Sequence, residues 1–119
     1  MDELIAQLAA RVGVDKAVAE KTVGIIFDFL RTEGPANTVQ DLINEIPGAD
    51  AAIASSGGFS RGILGGGLMA LGAKLMGLGL GMGEIQGIAR ELFKVGRDKI
   101  GADKIDAIIA GTPGLSQFA

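Results

Sequence analysis

Between Gly57 and Gly83 the chain reads GGFSRGILGGGLMALGAKLMGLGLGMG, and eleven of its 20 glycines fall in these 27 residues. Arg61 and Lys74 are the only charged side chains there. An interior helical glycine costs roughly 0.5–1 kcal/mol against alanine, so any helix in this stretch must be held by tertiary contacts. The spacing predicts a loop over Gly57–Gly67 and a helix over Leu68–Leu78, with Leu68, Leu71, Leu75 and Leu78 as its stripe. Gly58, Gly62 and Gly66 lie four apart, as do Gly79, Gly83 and Gly87. On a helix each set makes a bare groove that a second helix can approach closely.

Three roles fit such a stretch: a link followed by a buried helix, an oligomer seam, or a surface that lies on a membrane. Ile63 to Gly83 is 21 residues, long enough to span a bilayer. Lys74 sits near its middle, at a cost of about 2.5–3.5 kcal/mol on insertion scales. The flanks also lack a basic cluster and a Trp/Tyr belt. A transmembrane helix is therefore not expected, whereas reversible surface association through residues 63–80 is kept as an alternative.

On both sides of the glycines the chain is charged and periodic. Leu4, Ile5, Leu8 and Val12 share one face of a helix over Asp2–Val12, which Gly13 stops in the left-handed conformation. Asp15 is placed to cap a second helix over Lys16–Thr32, whose stripe of Val23, Ile26, Phe27 and Leu30 is widened by Ile25 and Phe29. So broad an apolar surface puts this helix at the centre of the fold. Gly34 suits the left-handed position after it, and Pro35 cannot continue it. A third helix over Asn37–Ile46, capped by Asn37 or Thr38, carries Val39, Leu42, Ile43 and Ile46. Pro47-Gly48 is a turn, and Ala49–Ala54 adds one further helical turn.

Aligning Pro47-Gly48 with Pro113-Gly114 sets an offset of 66 that holds without gaps. Gly13 then meets Gly79, Ile26 meets Leu92, Phe27 meets Phe93, Arg31 meets Arg97 and Leu42-Ile43 meets Ile108-Ile109. The expected fold is all-α, one domain of about six helices in two pseudo-repeated three-helix halves around one aliphatic core. The halves are residues 1–54 and 68–119, joined by a Gly/Ser-rich link over 55–67. Ile26, Phe27, Leu42, Ile43, Leu92, Phe93, Ile108 and Ile109 are expected at the centre.

Little catalytic chemistry is available. The chain has no Cys and no His, which removes thiolate sites, the commonest metal ligand and the commonest general base. A phosphate loop fails because Ala73 separates Gly72 from Lys74 and Leu75 follows where Ser or Thr is needed. GxGxxG fails at Gln86. Asp103 and Asp106, or Glu84 and Glu91, share helical faces but lack the further oxygen donors of a metal site. Ser55, Ser56, Ser60 and Ser116 have no histidine to activate them. Neither catalytic residue, cofactor nor metal is expected, and the chain reads as a non-enzyme.

Charge suggests partners instead. Residues 1–50 carry four basic and nine acidic side chains, and residues 51–119 carry seven and five, so the halves stand at −5 and +2. Opposite halves favour docking within the chain or head-to-tail association. Arg90, Lys94 and Arg97 lie at i, i+4, i+7 on one face, but Glu91 and Asp98 interleave with them and the whole chain is acidic, so nucleic acid is not favoured. The candidate interaction surface is Gly79, Gly83 and Gly87 with Arg90, Lys94 and Arg97. Its expected partner is a second copy, giving a homo-oligomer, or another protein, with a membrane surface as the alternative. The segment MDELIAQLAARVGV has no basic region before an apolar run, which points to a cytoplasmic chain.

The order LAARVGVD, a long apolar helix, INEIPGADAAIA and then a glycine-rich stretch resembles the small bacterial proteins of the YidB-like and VcgC/VcgE-like families. The resemblance implies a bacterial all-α protein of unknown function, and no residue role carries over from it.

Overall fold

The computed structural model describes residues 2–46, 48–55 and 68–112. The expected loop at Gly57–Gly67, the Gly58/Gly62/Gly66 column and the Pro113-Gly114 pair lie outside the described residues. Those residues form seven helices: α1 Asp2–Val12, α2 Lys16–Glu33, α3 Ala36–Glu45, α4 Ala49–Ser55, α5 Leu68–Met76, α6 Met82–Ile100 and α7 Ala102–Gly111. The fold is all-α, as the periodicity requires, and α4 is a helix in its own right where the sequence suggests one extra turn.

The first helix ends as expected. Gly13 takes φ +83°, and its amide and that of Val14 both donate to the Ala9 carbonyl, at 2.8 and 3.1 Å. α2 is the centre. Every residue from Thr22 to Leu30 is buried, and the helix lies against α1, α3, α4, α5 and α6. Burying the Phe, Ile and Leu side chains of this run contributes roughly 1.5–3 kcal/mol each relative to exposure.

α4 closes the last side of α2, and it does so at Gly24. A β-carbon on Gly24 would lie 2.1 Å from the Ala52 carbonyl oxygen, so only a bare residue admits the α4 backbone there. Ala49, Ala52 and Ile53 are the buried face of α4. On the other side Gly96 of α6 is covered by Ile105 of α7 and Leu42 of α3, whose methyl carbons lie within 2.6 and 3.2 Å of where its β-carbon would be.

Several local expectations need correction. Asp15 has the extended backbone of an N-cap but its side chain makes no capping hydrogen bond, and its carboxylate is exposed. Gly34 is not left-handed: at φ −101° and ψ −168° it is extended. It is glycine for space, since a β-carbon would lie 2.6 Å from Thr112 Oγ1 and 2.8 Å from the Leu30 carbonyl oxygen. α3 starts at Ala36 behind Pro35, so Asn37 and Thr38 sit inside its first turn and cap nothing. α5 stops at Met76, two residues before Leu78. Of the eight residues expected at the core centre, seven are buried and Ile109 is half-buried.

Phe27→Ala or Phe93→Ala should cost about 3–5 kcal/mol in urea unfolding, since both rings are fully enclosed. Gly24→Ala should cost about 1–3 kcal/mol by driving α4 off α2. Gly83→Ala, at a helical position with no atom within 4 Å of a β-carbon, should instead stabilise by about 0.5–1 kcal/mol.

Candidate interaction surface

The corner between α5 and α6 is built on two anchored leucines. Leu80 is buried and Leu78 half-buried against the core, and they hold a turn in which Gly79 takes φ +95°. Within it the Leu78 amide donates to the Leu75 carbonyl and the Gly79 amide to Met76, each at 3.0 Å. Glycine at 79 is required because side chains rarely adopt that φ. α6 then begins with the Gly81 amide donating to Glu84 Oε1 at 2.8 Å, a carboxylate in the first turn that also suits the positive helix end.

Around these anchors the surface is apolar or bare. Gly77, Gly79, Gly81 and Gly83 are exposed, and Met76 and Met82 are 51% and 45% exposed. Among the described residues these methionines are the exposed large hydrophobic side chains. The nearest charges in sequence are Glu84, half-buried and bonded to the Gly81 amide, and Lys74, which is exposed.

The sequence-selected residues divide between this corner and the body of α6. Gly79 lies in the turn, not on the helix, so Gly79, Gly83 and Gly87 do not form one helical groove. Gly83 faces open space. Gly87 is half-buried, with Val12 of α1 at ordinary contact distance, 3.4 Å from where its β-carbon would be. Only that end of the column accepts a helix, and the helix is the chain's own α1.

Arg90, Lys94 and Arg97 are all exposed on α6. Arg97 reaches Asp106 at 3.5 Å, and the neighbouring Glu91 binds Arg11 at 3.2 Å. Among the described residues neither Arg90 nor Lys94 is ion-paired. Surface pairs of this kind are worth about 0–1 kcal/mol and fade with salt.

Elsewhere the geometry offers little reactive chemistry. A cleft of about 340 Å³ lies between the end of α3 and the α6–α7 junction, lined by Asp41, Asn44, Glu45, Lys99, Ile100 and Lys104. The Lys104–Asp41 pair at 3.2 Å belongs to this lining. Mixed charge makes the cleft a poor receptacle for an apolar ligand. Asp103 and Asp106 are exposed, and among the described residues no three carboxylates converge to hold a metal ion. The buried polar groups are satisfied locally: Thr22 and Thr112 donate to the carbonyls of Val18 and Ile108, both at 2.7 Å, and Asp28 accepts from Arg31. Among the described residues no buried side-chain nitrogen or oxygen lacks a partner, so no polar group is held unpaired in the core. No helix of the described residues is long and apolar enough to cross a membrane.

Met76 and Met82 escaped the sequence reading because apolar residues at helical spacing are ordinarily core. The available signal was their company: Met82 lies between two glycines and Met76 precedes Gly77, and glycine cannot cover a neighbour. Comparison with family models, curated proteins and solved structures gives no match to the chain.

Glu84→Ala should cost about 0.5–1 kcal/mol through the lost bond to Gly81. Arg90→Gln with Lys94→Gln should change stability by less than about 0.5 kcal/mol, both measured by urea unfolding.

Proposed function

We propose that the chain is a duplicated helical unit that acts as a non-catalytic self-association module, with the Met76–Gly83 corner as its contact surface. Shifting α1, α2 and α3 by 66 positions puts their first residues at 68, 82 and 102, where α5, α6 and α7 begin. Burial supports the same register: Ala19 and Ile85, Val23 and Ala89, Ile26 and Leu92, Phe27 and Phe93, Val39 and Ile105, Leu42 and Ile108 are buried in pairs. Packing is reciprocal, with α1 against α2 and α6, and α5 against α6 and α2. Both corners turn on a left-handed glycine, Gly13 or Gly79.

The difference between those corners carries the reading. In the first, the exposed positions besides Gly13 are Ala10, Arg11, Asp15, Lys16 and Ala17; in the second, besides Gly79, their counterparts are Met76, Gly77, Gly81, Met82 and Gly83, again exposed. The two corners close with different hydrogen bonds but pivot on matching glycines, and one carries three exposed charged residues where the other carries none. Folding does not need the second composition, because the first corner manages without it. Loss of charge together with gain of methionine is the composition of a contact surface. An isologous contact about a two-fold axis is the commonest way for such a patch to meet a second copy. The contact is small, so the association is weak.

A lipid surface is the second reading, favoured by the apolar run of residues 63–80 that leads into the corner. Sedimentation equilibrium up to high micromolar concentration tests the first. The wild-type chain should associate at low and high salt alike, and Met76→Lys with Met82→Lys should remain monomeric. A monomeric wild type, or association unchanged in the double variant, contradicts it. Salt-sensitive association would assign the contact to the oppositely charged halves instead. Co-flotation with anionic and with neutral vesicles tests the lipid reading, and binding to neither removes it.

A further inference from the structure

We propose that Met76 and Met82 are a peroxide-sensitive modification site, and that their conversion to sulfoxides releases the self-association contact. The second half of the proposal rests on the self-association reading above.

The side chains that peroxide oxidises most readily at neutral pH are thiols and thioethers. This chain has no Cys, and also no His, Trp or Tyr, so the thioether sulfurs of its four methionines are the available targets. Met76 and Met82 are each about half exposed and stand on either side of the Gly77–Gly81 turn. Met82 stands between Gly81 and Gly83, and Met76 is followed by Gly77, so these neighbours offer no side chain to shield the sulfurs. In the reaction the O–O bond of hydrogen peroxide breaks and one oxygen bonds to sulfur. The thioether loses two electrons, and the peroxide is reduced to one water. Each event turns a flexible apolar side chain into a polar, chiral one. Because the corner contains no other large exposed apolar side chain, two such events remove the apolar character on which the contact depends.

The location makes the effect selective. Both side chains lie outside the enclosed core, so oxidation leaves the fold standing while it changes the surface. Their first-half counterparts, Ala10 and Lys16, have nothing to oxidise, so the response is confined to one of the two corners.

The test treats the intact chain with hydrogen peroxide, maps the added oxygen by peptide mass, and measures helicity and self-association before and after. Met76 and Met82 should each take one oxygen, with unchanged helical circular dichroism. The association constant should fall at least about tenfold, or about 1.4 kcal/mol. Methionine sulfoxide reductases should restore it, and Met76→Leu with Met82→Leu should associate like the wild type and ignore peroxide. Oxygen found at Met1 or Met69 while Met76 and Met82 stay intact overturns the proposal. So does full association after both are oxidised, or equal peroxide sensitivity in the leucine variant. If the untreated chain never associates, the self-association reading and the release fail together, while the oxygen map still decides the modification site.

Discussion

The Ala52 carbonyl oxygen occupies the space that a side chain on residue 24 would need. That single close approach lets α4 lie on α2, and α4 is what makes α2 a helix buried on every side. Ile25 and Phe29 are buried together with Val23, Ile26, Phe27 and Leu30, so α2 is enclosed well beyond a single stripe. The chain has only five aromatic residues, all Phe, and two of them, Phe27 and Phe29, are on α2 two residues apart. With so few large rings, the core gains its stability from enclosing many aliphatic groups completely, and a gap beside α2 would expose several at once.

An interior of this kind has consequences for function. Among the described residues its buried polar side chains are threonines bonded to the preceding turn and an aspartate that accepts from Arg31 three residues on. Among the described residues no buried side-chain nitrogen or oxygen is left without a partner. The outer face of α6 is informative here, because in the proposed duplication Arg90 stands where α2 has Gly24 and Glu91 where it has Ile25. An arginine at that point forbids the approach that Gly24 permits, and a carboxylate there prefers water. The basic stripe is therefore best explained as a solvated face, and the corner at Met76–Gly83 is the place where exposure and composition disagree.

Much of the fold was legible in the sequence because helices with a buried stripe announce themselves by spacing. α1 and α2 begin where periodicity and the stop at Gly13 place them, and the core residues follow. What was not legible depended on neighbours remote in the chain. Gly34 looks like a left-handed terminator, yet its role is to make room for Thr112, which lies 78 positions away. Asn37 looks like a cap, but Pro35 already sets the helix start. Gly79, Gly83 and Gly87 share a helical interval without sharing a helix, since the turn intervenes. The exposure of Met76 and Met82 was hidden for the same reason. Periodicity tells which residues could face a partner, and only the packing tells which are left facing none.

In the proposed duplication two corners pivot on matching glycines, and the proposed contact uses only the charge-free one. Amide hydrogen exchange at low and at high protein concentration measures both corners in the same sample. Residues 76–83 should gain protection as concentration rises, while residues 10–17 exchange at an unchanged rate. Equal behaviour of the two corners, or protection appearing instead along Arg90–Arg97, would contradict it.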